Sequence, residues 1–116
     1  MVSTQELNRR LLNVLERDST EVCLSFIDAW GGPSQILTAI EELSELIKEL
    51  ARWEARGVKE DTYDKLVDEM SDTFVVFHQM MVLMETVFGE DVHEDIQNVA
   101  AYKMQRTFKK LPSEMR

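Results

Sequence analysis

The chain has 116 residues, a formal net charge of −9 and a single cysteine, Cys23. This length predicts one domain over residues 1–116, and the negative charge argues against nucleic acid or an anionic membrane as a partner. One cysteine excludes an intramolecular disulfide, so we expect a reducing, cytoplasmic setting. The uncharged run over residues 73–84 is too short to cross a bilayer, and the polar N-terminus does not resemble a signal peptide.

The N-terminal segment predicts a helix in two parts. Ser3 or Thr4 can cap a first helix through about residue 17, and Ser19 can cap a continuation toward residue 30. We therefore expect an N-terminal helix that can be broken near Asp18.

The second helix is the most strongly patterned. Gly31-Gly32-Pro33 should stop the preceding helix, and Ser34 can cap a long helix that ends near Gly57. Its apolar residues recur at intervals of four and three and form one stripe: Ile36, Ile40, Leu43, Ile47 and Leu50.

Two further helices complete the chain. Asp61 or Thr62 can cap a third helix that ends before Gly89, and a fourth begins at about Asp91 and stops before Pro112. No β-type alternation of useful length occurs. The fold prediction is all-α, an antiparallel four-helix bundle with short connections. Because the third helix is apolar almost all round, we expect homo-oligomerisation to help cover it.

Two acidic motifs lie on the second and third helices. The first is E-E-x-x-E, with Glu41, Glu42 and Glu45, and the second is E-x-x-D, with Glu69 and Asp72. Like charges four residues apart destabilise a helix, and the second pair shares a side with apolar residues, where an isolated carboxylate is expensive. Acids placed so unfavourably are expected to be paired, protonated or bound to metal.

The ligand chemistry favours a hard cation. Antiparallel second and third helices bring Glu42 and Glu45 opposite Glu69 and Asp72, and four carboxylates without His or Cys select Mg²⁺ first and Mn²⁺ second. Since Mg²⁺ commonly shares its coordination with substrate phosphates, we expect a polyphosphate ligand.

The motif pair resembles the signature of the MazG-type all-α nucleoside triphosphate pyrophosphohydrolases, a superfamily that includes the dimeric dUTPases. The segment WGGPSQILTAIEELSEL is similar to the family's approach to its first motif, including the glutamine, here Gln35. The segment AYKMQRTFKKL is similar to the family's closing basic segment and offers Lys103 and Arg106. The resemblance covers about Trp30 to Leu111.

The resemblance implies hydrolysis of a nucleoside triphosphate, NTP or dNTP, to the monophosphate and pyrophosphate, in nucleotide-pool cleansing or control. It implies a MazG-like bundle, a homodimer or a homotetramer made of dimers, and Glu42, Glu45, Glu69 and Asp72 as Mg²⁺ ligands. The chain is short and lacks an obvious uracil-specific insertion, which leaves the base open.

The other candidate residues follow from the same resemblance and from the helical wheel. Glu41 points about 100° away from Glu42, so it can orient or deprotonate the attacking water or hold a further ion. Lys103 and Arg106 would stabilise the charge of the leaving pyrophosphate. Gln35 and Trp30 are candidates for contact with the nucleoside.

Simpler interpretations stand beside these. Single glutamates on a helix usually form a solvated face, and basic residues near a helix C-terminus are favoured there by the helix dipole. Glu90-x-x-His93 has the form of a di-iron ligand pair, but such a bundle needs two pairs. The alternative function is a non-catalytic or degenerate helical module that binds nucleotide or a protein without turnover.

Overall fold

The computed structural model describes residue 3, residues 5–6 and residues 19–116. From residue 19 onward the chain forms four α-helices and a short 3₁₀-helix: α1 (Ser19–Trp30), α2 (Gly32–Arg56), α3 (Thr62–Phe88), α4 (Val92–Phe108) and Ser113–Met115. The described residues contain no strand. The all-α prediction is confirmed.

The N-terminal prediction is tested at two points only. Gln5 and Glu6 are helical, and the backbone N–H of Glu6 donates a hydrogen bond to Ser3 Oγ at 3.1 Å, as expected of a capping serine. The predicted continuation toward residue 30 is present as α1, which ends at Trp30, and a cap at Ser19 stays a prediction. The rest of the predicted first helix and its break near Asp18 lie outside the described residues.

The junction between α1 and α2 is tighter than the sequence predicts. Only Gly31 separates the helices; its φ is 84°, and its N–H donates to Ile27 O at 2.7 Å. The prediction that Ser34 caps α2 is wrong, because α2 begins at Gly32 with Pro33 in its first turn. Proline is tolerated there, since the N–H that it lacks would have no partner within the helix.

The remaining helix ends agree with the prediction. Gly57 and Gly89 follow α2 and α3 with φ of 72° and 113°, values that favour glycine. At the start of α3, the carbonyl of Asp61 accepts a hydrogen bond from the N–H of Lys65 at 3.1 Å. Asp91 occupies the N-cap position of α4.

The chain divides into two compact units, one ending at Leu83 and the other running from Met84 to Arg116. In the first unit α1 contacts α2. The second unit contains α4 and the 3₁₀-helix, and within it Val92 is buried whereas the other described side chains of α4 are at least partly exposed. A single domain over residues 1–116 stays a prediction.

Within the first unit, α2 and α3 form an antiparallel hairpin. Gly32, at the start of α2, lies so close to α3 that a Cβ atom on it would be 3.3 Å from Leu83 Cδ1. At the opposite end Arg52 acts electrostatically on Asp61, near the turn. The buried side chains of this hairpin are two glutamines, one alanine and two valines: Gln35, Ala39, Val76, Gln79 and Val82. We call the line along which the two helices face each other the seam.

Candidate metal centre

Three carboxyl groups converge at the seam. Glu42 on α2 and Glu69 and Asp72 on α3 each offer one oxygen, and these oxygens lie within 4.8 Å of one another. All three side chains are partly buried. Two oxygens bound to one Mg²⁺ at 2.0–2.1 Å are separated by about 3–4 Å. Small side-chain rotations are therefore enough for the three acids to reach one cation.

Residue spacing explains why these acids meet. Gln35, Ala39 and Glu42 follow one another at intervals of four and three residues, which keeps them on one face of α2. Glu69 and Asp72 are three residues apart on α3 and lie on one side of a single turn. The antiparallel direction of the two helices then places the pair opposite Glu42.

The electrostatics of Glu42 are those of a crowded acid. Partial burial raises the pKa of its carboxyl group, and the nearby charge of Asp72 and a hydrogen bond with that residue raise it further. The charges of Glu69 and Glu41 add to the effect. The ionised form of Glu42 is therefore less favourable here than in water.

The pKa of Glu69 is also raised, and more neighbouring residues contribute to the shift. Partial burial raises its pKa first, followed by the charges of Asp68, Asp72, Glu45 and Glu49. A cation among these groups would relieve the repulsion and restore the ionised forms.

Glu49 differs from the converging acids because it has a cationic partner. Its Oε1 accepts a hydrogen bond from Arg52 Nη1 at 2.7 Å, three residues further along α2, and only 12% of its side chain is exposed. This ion pair partly offsets the charge of Glu49, which still raises the pKa of Glu69.

The two other predicted acids lie at the margin of the cluster. Glu45 is exposed and is not among the three converging residues, but its charge is near enough to raise the pKa of Glu69. Glu41 is exposed beside Glu42 and raises the pKa of that residue. Their roles as a fourth ligand and as the group that activates water stay predictions.

Gln35 occupies an unusual environment for a polar side chain. It is 3% exposed, and its Oε1 atom has no hydrogen-bond partner. It lies seven residues before Glu42, or about 10 Å along the helix axis. An unpaired buried acceptor costs about 1–3 kcal/mol, which calls for a compensating role.

Sequence reasoning missed Gln79 and Asp68. Gln79 is 6% exposed and lies seven residues beyond Asp72, so it repeats on α3 the interval that separates Gln35 from Glu42 on α2. That repeated interval is the signal that could have identified it. Asp68 contributes through its charge on Glu69, a neighbour effect that the motif alone does not indicate.

The predicted basic residues lie in the second unit. Lys103 and Arg106 are exposed on α4, where Lys103 borders an open, mainly apolar cleft with Ile96 and Val99. Arg106 is in the last turn of the helix, the position that the helix dipole favours for a cation. Contact with a phosphate chain stays a prediction for both.

A second group of basic residues, which the sequence reasoning did not select, surrounds a cavity of about 130 Å³ at the turn of the hairpin. Lys65 Nζ lies 3.0 Å from Asp61 Oδ2 and lowers the pKa of that carboxyl group. The basic side chains that line this cavity are Arg52, Arg56, Lys59 and Lys65.

No helix in the described part of the chain is long and apolar enough to span a membrane. Comparisons of the chain with protein-family models, with curated proteins and with solved structures found no match. The geometry of the acids and the motif resemblance therefore provide the basis for a functional proposal.

Proposed function

We propose that this chain is a Mg²⁺-dependent nucleoside triphosphate pyrophosphohydrolase that converts NTP or dNTP to the monophosphate and pyrophosphate, in the cleansing or control of a cytoplasmic nucleotide pool. The observation that carries the proposal is the convergence of Glu42, Glu69 and Asp72 across the seam. These residues come from the E-E-x-x-E and E-x-x-D motifs that resemble the MazG-type signature. The same resemblance supports an antiparallel four-helix bundle as the architecture.

The donor chemistry supports Mg²⁺, with Mn²⁺ as a substitute. The converging ligands are carboxylates, the oxygen donors that hard divalent cations prefer. Partial burial and neighbouring acids raise the pKa values of Glu42 and Glu69, and a bound cation would offset both effects. Glu45 would join as a further ligand or bind through water. When bound there, Mg²⁺ would lower the pKa of a water molecule and neutralise charge on the phosphate chain.

The protein's own residues then have separate tasks. Glu41 is exposed next to the cluster, where its carboxylate can accept the proton of the attacking water. The resemblance assigns Lys103 and Arg106, on α4, the task of stabilising the charge of the leaving pyrophosphate. Gln35 binds the nucleoside through its side-chain amide. A chain with a net charge of −9 binds a polyphosphate mainly through the cation and these basic groups.

Pyrophosphate release from a panel of nucleoside triphosphates, with and without Mg²⁺, tests this proposal. We expect turnover only with the metal, and a loss on the order of 100-fold or more in Glu69→Gln and Asp72→Asn. Glu60→Gln is the matched control, because it makes the same charge change in the exposed loop before α3. Circular dichroism should show that all three variants keep their helices. If the metal-loaded protein hydrolyses none of the nucleotides, the proposed enzymatic activity is refuted.

The alternative is a helical module that binds nucleotide or a protein without turnover. The specific observation in its favour is the large number of exposed apolar side chains on α2 and α3. The same experiment separates the two functions. A module would bind Mg²⁺ and nucleotide but leave the triphosphate intact at the end of the incubation, whereas the enzyme would hydrolyse it.

A further inference from the structure

The turn of the α2–α3 hairpin concentrates positive charge in a chain whose net charge is −9. The cavity of about 130 Å³ at this turn lies wholly within the first unit, and we call it the turn cavity. Its lining includes four basic and two acidic side chains: Arg52, Arg56, Lys59, Lys65, Glu49 and Asp61. Cations therefore outnumber carboxylates around the turn cavity, which favours an anion inside it.

Each of the two carboxylates already has one cationic partner. Glu49 Oε1 lies 2.7 Å from Arg52 Nη1, and Asp61 Oδ2 lies 3.0 Å from Lys65 Nζ. Within the described part of the chain, the two other cations of the lining, Arg56 and Lys59, have no ion-pair partner. Their side chains are therefore available to a ligand from outside the chain.

Arg52 is oriented before any ligand arrives. The carboxylate that it contacts belongs to Glu49, whose side chain is only 12% exposed, so the guanidinium is held against a partly buried partner. A guanidinium carries five N–H donors in a planar fork, and this ion pair leaves most of them free. Because the orientation of the fork is already restricted, binding a second anion costs less conformational entropy.

Hydrogen bonds also fix the loop that carries Lys59. The backbone N–H of Lys59 donates to Thr62 Oγ1 at 2.7 Å, and the N–H of Thr62 donates to the Lys59 carbonyl at 3.2 Å. The Thr62 hydroxyl lines the turn cavity and accepts one of these bonds, so its own proton can be donated to a ligand. Thr62 also begins α3, and the dipole of a long helix favours an anion at its N-terminus.

The size of the turn cavity limits the ligand to a small molecule or ion. Sites that hold drug-sized ligands have volumes of about 300–1,000 Å³, whereas this one has about 130 Å³. A nucleoside is therefore too large to be enclosed. A phosphate ion is compact, and its oxygens can accept hydrogen bonds from guanidinium and ammonium groups that approach from both helices.

We infer that the turn cavity binds inorganic phosphate directly, without a metal ion. The acid cluster can hold a phosphate group only through a cation, because three carboxylates repel an anion. The two places are also separate along α2, since Glu49 lies seven residues beyond Glu42, or about 10 Å along the helix axis. The inference therefore does not depend on the proposed function.

Nuclear magnetic resonance of the nitrogen-15-labelled chain tests the inference by titration with inorganic phosphate in EDTA at constant ionic strength. We expect saturable shifts of the amide signals of Gly57, Lys59 and Thr62 and of the indole N–H of Trp53, which line the turn cavity. The amide signal of Glu42 should not shift, because EDTA removes the cation that phosphate would need there. Absence of a saturable shift at the turn with millimolar phosphate would overturn the inference.

Two substitutions test the residues that carry it. Arg56→Gln and Lys59→Gln should each raise the dissociation constant for phosphate by about tenfold, the loss expected for one charge-assisted hydrogen bond. Both side chains are exposed and lie at the end of α2 or in the loop after it, so the helices should remain intact. Arg52→Gln is less informative, because it would also remove the partner of Glu49.

The control is Lys110→Gln, which makes the same charge change at a residue that does not line the turn cavity. It should leave the dissociation constant unchanged. A loss of affinity in Lys110→Gln equal to that in the two cavity variants would overturn the inference, since the effect would then be one of net charge. Tighter binding of ADP than of inorganic phosphate would overturn it too, because the ligand would then be a nucleotide.

Discussion

Replacing Glu42 by glutamine should make the protein more stable to heat than the wild type without Mg²⁺, and less stable than the wild type with Mg²⁺. Without metal, the raised pKa of Glu42 means that folding disfavours its charged form, so a neutral amide should raise the unfolding temperature at neutral pH. With Mg²⁺, the wild type gains the binding energy of a cation that the variant holds with one carboxylate fewer. The order of stability should therefore invert.

The size of the shift follows from mass action. Mg²⁺ at about 100 times its dissociation constant stabilises the folded wild type by about 2.7 kcal/mol. For a chain of 116 residues this corresponds to about 10 °C in the unfolding temperature. We expect Glu42→Gln to retain less than half of that shift, since α2 contributes only this residue to the three converging acids.

Differential scanning calorimetry of both proteins with EDTA and with Mg²⁺ measures these differences. The protein concentration must be the same in all samples, because the unfolding temperature of any oligomer depends on concentration. Glu60→Gln should behave like the wild type in both buffers. Equal Mg²⁺ shifts in wild type and Glu42→Gln, or a variant that is less stable without metal, would refute the reasoning.

Four other outcomes follow from the same structure. The raised pKa values of Glu42 and Glu69 mean that protons compete with metal for these carboxylates. Isothermal titration calorimetry should therefore show that Mg²⁺ binds more weakly at pH 5 than at pH 7, and equal affinity at both pH values would contradict this. In the metal-free state the wild type should gain stability relative to Glu42→Gln over the same fall in pH, as measured by urea unfolding, because the folded state binds the proton more tightly. Gln35→Leu should raise KM for nucleotide while keeping or increasing stability, since it removes an unpaired buried acceptor; unchanged KM would make Gln35 purely structural. Lys103→Ala and Arg106→Ala should lower kcat in the pyrophosphate assay, and unaltered kinetics would return both to ordinary surface charges.

The helices and most of their ends could be predicted because their causes are local. Gly57 and Gly89 end helices in the sequence as they do in the structure, and Asp61 and Asp91 begin them. The start of α2 was misplaced because a serine after a proline looks like a cap. Pro33 instead fits within the first turn, so the helix starts earlier.

The part of the candidate site that could be predicted is the part that residue spacing along the helices determines. Two motifs on antiparallel helices placed Glu42 opposite Glu69 and Asp72, and the structure brings these three together. It does not place Glu45 among them, because spacing alone does not determine how far each side chain reaches across the seam. The burial of Gln35 and Gln79 was harder to predict, because a helical wheel predicts that the apolar stripe, and not the polar side chains beside it, is buried.

The apolar stripe of α2 shows why pattern alone cannot identify the buried face of a helix. A spacing of four and three residues predicts packing against another helix, but it does not specify which helix that is. In the structure the seam takes the polar face of α2, and Ile40 and Ile47 remain 55% and 66% exposed. Only the placement of α3 reveals which face is uncovered.

Phosphorus NMR of a nucleoside triphosphate incubated with the Mg²⁺-loaded protein tests the central claim most directly, because it identifies the bond that is cleaved. The proposal predicts the monophosphate and pyrophosphate in equal amounts, with loss of both signals in Asp72→Asn and their retention in Glu60→Gln. Formation of the diphosphate and orthophosphate, or a spectrum of unchanged triphosphate, would contradict it.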